Sequence, residues 1–405
     1  MPTLLQINSL INSGSTGRIA EEIGQTAIAN GWESYIAYGR NERPSHSNLI
    51  KIGNNWDVGM HGLQTRIFDN HGLASKNATK KFISTIKRIN PDIIHLHNLH
   101  GYYINYEILF SFLKSSNIPV IWTLHDCWPF TGHCAHFEHI TCNKWKTGCY
   151  SCPLKRKYPS SYTFDRSFKN YNQKNGIFNS LTNLTLVPVS DWLNEIIESS
   201  YLKNYPRKVI NNGIDVDVFS PQHNVKSIKE KYGISDKFIV LGVSSYWNQS
   251  KGLNDFIKLS AQKEMAIILV GVTKKQKENL PNGIIGIEKT ESQVELSELY
   301  SAADVFVNPT YNDTFPTTNL EALACGTPVI TYKTGGSPEA IDSSTGIIVE
   351  KGDLNCLISA ILEIKKNGKD FYSSACLNRA NKLYRKEDRY REYIDLYNKM
   401  LSTSI

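Results

Sequence analysis

The chain has 405 residues, too long for one ordinary compact core and well suited to two domains. Its 40% hydrophobic and 20% charged residues match a globular protein and exclude a disordered chain, and no apolar run approaches bilayer-spanning length. The formal net charge of +7 is modest for a nucleic-acid binder, and the opening MPTLLQINSL has no positive region and no cleavable apolar stretch, so the expected compartment is the cytoplasm.

In chain order, LLQIN at Leu4 reads as the first strand. The segment NSGSTGRIAEEI follows it. Gly14 and Gly17 permit a tight strand-to-helix turn, and Ser15, Thr16 and Arg18 stand where a helix N-terminus meets a phosphate or an acceptor. Such a turn occurs in many βα units, so alone it is a weak signal. DIIHLH at Asp92 and VIWTLH at Val120 are the next strands. His95, His97, Asn98 and His100 close the first of these, and His125 and Asp126 close the second. A histidine inside a strand is usually a satisfied core group, whereas one at a strand's carboxyl end is better placed for function.

Five of the eight cysteines lie between Cys127 and Cys152. Cys134, Cys142, Cys149 and Cys152 end in a C-x-x-C knuckle, the spacing of a structural zinc site that braces a loop. His133, His136 or His139 could replace one ligand, and Cys127 is a spare. The alternative is a set of reduced free thiols, and without an export signal disulfides are disfavoured. From Thr141 to Lys174 eight Lys or Arg stand against one acid, Asp165, with Tyr150, Tyr158, Tyr162, Phe164, Phe168 and Tyr171 interleaved. This suits an anionic partner, a lipid headgroup or a phosphorylated acceptor, and would place the chain on a membrane surface; the alternative is a solvated loop.

LTLVPVS at Leu184 completes the first half. The second half repeats the pattern with FIVLGVS at Phe238, AIILVG at Ala266, GIIGIE at Gly283, DVFVNP at Asp304, PVITY at Pro328 and GIIVE at Gly346. Continuous apolar runs alternating with helical segments imply parallel sheets buried on both faces. The expected class is α/β, two doubly wound Rossmann-like domains. The boundary is expected near KVINNGIDVDVFSP, giving domains at 1–207 (with a Cys-rich insert near 127–175) and 208–385, and a last helix, 386–405, crossing back to the first domain. The tyrosines at helical spacing in LYRKEDRYREYIDLYNKML read as packing.

The most informative passage is DVFVNPTYNDTFPTTNLEALACGTPVITYKTGGSPEAI. A strand ends at Asn308, a turn-rich loop follows, and a helix opens near Pro316 or Thr317, offering free N–H groups to an anion. Glu321 lies one turn inside and Asp313 eight residues earlier, so two carboxylates could flank a sugar nucleotide and accept its hydroxyls. Gly335-Gly336-Ser337 makes a second close-approach loop, followed by Glu339. An isolated pair of this kind could equally be a first-turn acid stabilising its helix.

Here the sequence resembles the family-4 retaining glycosyltransferases of GT-B fold, and in TLHDCWPFTGHC with its spaced cysteines a bacterial exopolysaccharide and colanic-acid-type subgroup. NNGID at Asn211, SKGLNDFI with Lys251 and Gly252, LGVSS at Leu241, PDIIHLHN and TLHD are similar to that family's signatures. The resemblance implies two domains facing across a cleft. It implies that Glu321 binds the donor ribose, that Asp313 and His125 hold the donor sugar, and that Lys251 contacts the diphosphate. It further implies that the N–H groups of Phe315, Pro316's successor Thr317, and Thr318 bind phosphate, with Ser245, Gly17, Arg18 and Gly336 on the donor side. Gly14, Ser15, Thr16, His97 and Asn98 fall on the acceptor side. The chain departs from the family in having Asp rather than Glu at 313 and no Arg shortly before Lys251, where Ser244 to Asn248 stand; Arg18 could compensate.

The implied reaction is transfer of a sugar, with retention, from a UDP- or GDP-sugar to a glycan or polyprenyl-diphosphate-linked acceptor in bacterial surface polysaccharide synthesis. No catalytic divalent metal and no nucleic-acid partner are expected, and Glu321→Ala should sharply reduce transfer without unfolding the chain. Alternatives are a GT-B-like nucleotide-sugar epimerase, a zinc module binding nucleic acid, and a degenerate transferase retained as a scaffold.

Overall fold

The computed structural model describes residues 1–222, 225–234 and 237–402, and the chain divides into two compact units. The first comprises Met1–Asn211 with Arg389–Ile405, of which 389–402 is described. The second is Asn212–Asp388.

Unit 1 holds six parallel strands: β1 (Thr3–Leu10), β2 (Glu33–Arg40), β3 (Asn48–Lys51), β4 (Ile93–Leu96), β5 (Val120–Leu124) and β6 (Leu184–Pro188). Their order across the sheet is β3-β2-β1-β4-β5-β6. Unit 2 holds β7 (Phe238–Val243), β8 (Met265–Val270), β9 (Ile284–Ile287), β10 (Val305–Asn308), β11 (Val329–Tyr332) and β12 (Gly346–Val349), in the order β12-β11-β10-β7-β8-β9. Counted within its own unit, each sheet runs 3-2-1-4-5-6, the Rossmann order. Both sheets therefore reverse direction of build between their first and fourth strands, β1 and β4 in unit 1 and β7 and β10 in unit 2. A crevice opens at the carboxyl ends of strands on either side of such a switch point, and ligands settle there.

The ten runs read as strands in the sequence all form strands, and β2 and β3 are additional. β2, ESYIAYGR, breaks its apolar run with Ser34, Tyr35 and Gly39. Gly39 is required by packing, since a Cβ there would come within 2.3 Å of Tyr103. β3 is a four-residue edge strand with its ends exposed. By contrast β8, MAIILV, is buried along its whole length, as a central parallel strand must be.

The last helix, Lys386–Ser402, buries Tyr390, Tyr393 and Tyr397 in the core of unit 1 with Leu4, Ile23, Trp32 and Ile93. Its tyrosine hydroxyls also reach the sheet: His95 bonds Tyr397 Oη at 2.7 Å, and Thr123 donates to Tyr393 Oη at 3.1 Å. His95 is thus a satisfied core residue.

Candidate active site

In unit 2 the switch point lies between the loops that leave β7 and β10, and Lys251 and Asp313 sit on those two loops. Lys251 ends a short 3-10 turn, Gln249–Lys251, whose N-cap Asn248 accepts the Lys251 N–H at 3.1 Å. Gly252 follows with φ +76°, pressed so closely on the β10 loop that a Cβ would lie 2.4 Å from the Pro309 carbonyl oxygen. The two loops are thereby joined, and Lys251 Nζ reaches Asp313 Oδ2 at 2.8 Å and the Asn312 carbonyl at 3.3 Å. Both side chains keep about a fifth of their surface in solvent, 23% and 21%, so the pair is open to a ligand and contributes little to stability by itself.

Asp313 is fixed from behind. Gly335 has φ +55°, and a Cβ on it would meet the Asp313 carbonyl oxygen at 1.8 Å; the next residue, Gly336, donates its N–H to that same oxygen at 3.2 Å. The glycine pair expected to approach a ligand thus approaches the loop that carries the acid. Three residues on, Pro316 caps the helix Thr317–Ala324 without a side-chain hydrogen bond and with no acid in the first turn, leaving the positive end of the helix for an anion. Phe315 and Pro316 are buried, and Thr317 and Thr318 are half-buried. Asn319 ties the helix down by donating to the Ser337 carbonyl at 3.1 Å and accepting from Asn308 at 2.8 Å. Ser245 is exposed on the loop after β7.

Glu321 is 2% exposed and accepts the Tyr300 hydroxyl at 2.8 Å. Replacing it by alanine would remove a buried hydrogen bond of the Tyr300 hydroxyl, at a cost of about 1–3 kcal/mol. Glu321→Ala therefore combines a structural and a functional change, and Glu321→Gln is the cleaner substitution.

In unit 1 the helix Gly14–Ala29 opens directly after β1, with Gly14 at φ +62° and no side-chain cap from Ser13. Gly17 is buried under the turn, Ser15 is exposed, and Thr16 and Arg18 are half-buried. The histidines at the ends of β4 and β5 form a hydrogen-bonded chain. Gln6 donates its amide to the Ala20 carbonyl at 2.8 Å, which leaves its side-chain oxygen to accept from His97 Nε2 at 3.0 Å. His97 Nδ1 must then accept, and its partner at 3.1 Å is His125 Nε2. This assigns the proton of His125 to Nε2 and a lone pair to Nδ1. Burial lowers His125 to about 4, and His97 well below its ordinary value, so both are neutral near pH 7. His125 is consequently a polar, uncharged partner for a hydroxyl rather than a cation. Asn98 contributes its backbone N–H to Asn8 at 3.4 Å. His100 pairs with Asp126 at 2.6 Å and with the Tyr158 hydroxyl at 2.9 Å. Asp126 is held to about 2; burial opposes this, and the charge and hydrogen bond of His100 outweigh it. Gln6 was not anticipated, although a lone amide inside an apolar strand is a visible signal of a buried network.

Cys134, Cys142, Cys149 and Cys152 line one small cavity with His133. Among the described residues, however, no group of three or more His, Cys, Asp or Glu side chains is arranged to hold a metal ion, so the expected zinc tetrahedron is not formed. The sulfurs have other partners. A hydrogen bond from Cys134 to Cys152 raises the Cys134 thiol and lowers Cys152 to about 7, while burial raises Cys149 to about 11 and its Sγ accepts the Gly132 N–H at 3.2 Å. His133 instead pairs with Asp69 at 2.7 Å, both fully buried, anchoring the cysteine loop to the segment after helix Asn55–Phe68. Of the basic stretch, Lys174 is not on the surface: it is buried, donating to the Trp128 and Thr131 carbonyls at 2.8 and 3.1 Å. No described helix is long and apolar enough to cross a membrane.

Residues 16–218 match the family described as Glycosyltransferase Family 4, and residues 237–367 match Glycosyl transferases group 1. The chain is 25% identical over 377 residues to an Escherichia coli K12 protein named as a colanic acid biosynthesis glycosyl transferase, WcaC, covering 88% of this chain and 89% of that one. It superposes on sucrose-phosphate synthase of Thermosynechococcus elongatus with a TM-score of 0.74 at 16% identity, each chain covered in full. Anabaena HepE, solved with UDP-glucose, gives 0.69 at 14% identity, covering 99% of each chain. The fold is GT-B, and the reading as a zinc-dependent nucleic-acid module is set aside by two glycosyltransferase matches that between them span most of the chain.

Proposed function

Because the chain belongs to glycosyltransferase family 4 and is a hexosyl-transferring enzyme, we propose that it moves a sugar, with retention at the anomeric carbon, from a UDP- or GDP-sugar to a hydroxyl of a glycan or polyprenyl-diphosphate-linked acceptor in the assembly of a bacterial surface polysaccharide. The observation that carries this reading is the meeting of Lys251 with Asp313 on the two switch-point loops of unit 2, at the entry to a helix whose N-terminus has no side-chain cap. A nucleoside diphosphate fits these groups. The lysine and the helix N–H groups oppose the charge that gathers on the diphosphate as the glycosidic bond breaks. Asp313 accepts hydroxyls of the sugar, and Glu321 reaches the ribose once Tyr300 shares it. In unit 1, His125 is a neutral polar partner for a sugar hydroxyl, and the turn from Gly14 to Arg18 together with His97 and Asn98 forms the polar surroundings of the acceptor side. UDP-glucose in HepE supports a uridine donor. The exposed aromatic and basic residues around Phe164 support a peripheral contact with the membrane that bears a lipid-linked acceptor.

The test is a thermal-shift screen with UDP, GDP, ADP, CMP and TDP. One nucleotide should raise the melting temperature, since a ligand that binds only the native state stabilises it. Lys251→Ala should abolish that rise. No shift with any of the five would overturn the donor site. Release of the diphosphate from the matching sugar nucleotide then reports turnover, and conversion of the donor without a diphosphate product would favour an epimerase.

A further inference from the structure

One cavity of unit 1 lies apart from the histidine chain. It is a groove of about 1170 Å³ between helix Asn55–Phe68 and helix Ser167–Phe178, floored by the segment from Asn70 to Asn77. Its place in the fold follows from the topology. The helices Lys76–Ile89, Tyr106–Ser116 and Ser167–Phe178 lead into β4, β5 and β6, so their N-termini lie at the carboxyl end of a parallel sheet. Lys76, Glu107 and Phe168, one from each N-terminus, all line the groove. It therefore opens on the end of unit 1 that carries His97 and His125.

The lining is unusual for an apolar docking surface. Two aromatic rings stand out of it, Trp56 at 75% and Phe168 at 62% exposure. Around them are the amides of Gln64, Asn70, Asn77, Asn172 and Gln173. The side-chain oxygens of Asn70 and Gln173 are buried without a hydrogen-bond partner, an unfavourable state that a hydroxyl donor relieves. Charges of both signs complete the wall, Asp57 and Glu107 against Lys76, Arg166 and Lys169.

We infer that this groove binds an oligosaccharide, the non-reacting portion of the acceptor glycan. The inference rests on the reading of unit 1 as the acceptor side. A pyranose ring is apolar on its C–H faces and polar around its rim, so it takes an aromatic platform below and amides and carboxylates at its edge. Trp56 and Phe168 supply two platforms, and the unpaired amide oxygens take hydroxyl donors. The volume exceeds the ~300–1,000 Å³ of a pocket for one small molecule, which suits several sugar units. An anionic lipid surface is the less favoured occupant, because the wall mixes Asp57 and Glu107 with its three cations and adds five amides, a set that suits neutral hydroxyls better than a layer of one charge.

The full chain should be applied to an array of oligosaccharides one to six sugars long, beside Trp56→Ala, Phe168→Ala and the double variant. Both rings are largely in solvent, so the fold should survive their removal, and the nucleotide-induced melting shift serves as the control. The wild type should retain oligosaccharides of three or more sugars and not monosaccharides, and the double variant should bind at least tenfold more weakly with its nucleotide shift intact. Absence of any array signal, or a signal indifferent to both substitutions, overturns the groove. So does a double variant that loses sedimentation with phosphatidylglycerol vesicles while keeping its array signal. A nucleotide shift that persists in any of these cases separates failure of the groove from failure of the donor site.

Discussion

The two units share one strand order and solve the problem of a polar site in opposite ways. Unit 2 builds its site with backbone: glycines at φ +76° and +55° bring loops within contact distance, a helix N-terminus is left without a side-chain cap, and an ion pair about a fifth exposed marks the place. Unit 1 builds with buried side chains. Ten of the eleven histidines lie in it, the other being His223, and its polar groups form chains such as Gln6–His97–His125 and Tyr158–His100–Asp126. Backbone donors recognise what all nucleotide donors share, a diphosphate. Side-chain networks are free to differ, which is in keeping with our proposal that the acceptor is selected in unit 1.

The largest test of this contrast is acid. Burial holds His71, His95 and His97 well below the ordinary histidine value, His61 at about 3 and His125 at about 4. The unfolded chain binds protons at these five sites near pH 6.5, and the folded chain does not. Their contribution is fully present above pH 6.5 and is lost as pH falls toward 4, by on the order of 1.4 kcal/mol per pH unit for each. His133 acts in the opposite sense: burial lowers it, but the Asp69 hydrogen bond and charge leave it raised, so its contribution grows as pH falls. Five outweigh one. Hydrogen exchange from pH 7 to 5 should show β1, β4 and β5 losing protection before β7, β8 and β10. Simultaneous loss in both units would erase the contrast.

Next in size is the cation of unit 2. Lys251→Ala should slow diphosphate release from the sugar nucleotide by about a hundred- to a thousandfold, the usual loss when one preorganised charge-stabilising donor is removed. A change of less than tenfold would show that the helix N-terminus carries the phosphate alone.

Much of this was legible in the sequence of unit 2. Continuous apolar runs mark its six strands; the spacing of Asp313, Glu321 and the glycine pair points to one loop and helix, while Lys251 stands out only through the resemblance of SKGLNDFI to the family's loop. The purpose of Gly335 was not legible. Its neighbour, the Asp313 carbonyl, is distant in sequence, and only the fold brings them together. In unit 1, β2 and β3 lack a continuous apolar run, and the cysteine spacing promised a tetrahedron that the hydrogen bonds of Cys134, Cys149 and His133 replace. Glu321 was read as a ligand group, but its pairing with Tyr300 depends on the packing of two helices and has no local signature.

Gly335 offers a finer comparison. Gly335→Ala meets both a left-handed backbone and the Asp313 carbonyl, so it should cost about 1–3 kcal/mol and weaken nucleotide binding as the Asp313 loop moves. Gly31 in unit 1 has φ +80° with nothing within 4 Å of a Cβ. Gly31→Ala should therefore show backbone strain alone, with a smaller loss and no effect on the nucleotide. Denaturant midpoints and nucleotide melting shifts measured on both variants decide it. Equal losses would mean that the close approach at Gly335 relaxes without displacing the acid.

The smallest effect is the most diagnostic. An ion pair with both partners about a fifth exposed gains modest Coulomb energy in high dielectric and spends side-chain entropy to form, so Lys251→Ala should shift stability by less than about 1 kcal/mol. His97→Ala, which removes a buried side chain and breaks its bonds to Gln6 and His125, should cost more than twice as much. A site built on an open pair can lose its function and keep its fold, whereas a site built on a buried network loses both together. If Lys251→Ala unfolded the chain as readily as His97→Ala, its pairing with Asp313 would have to be a structural clamp, and the two units would no longer differ in the way their sites are held.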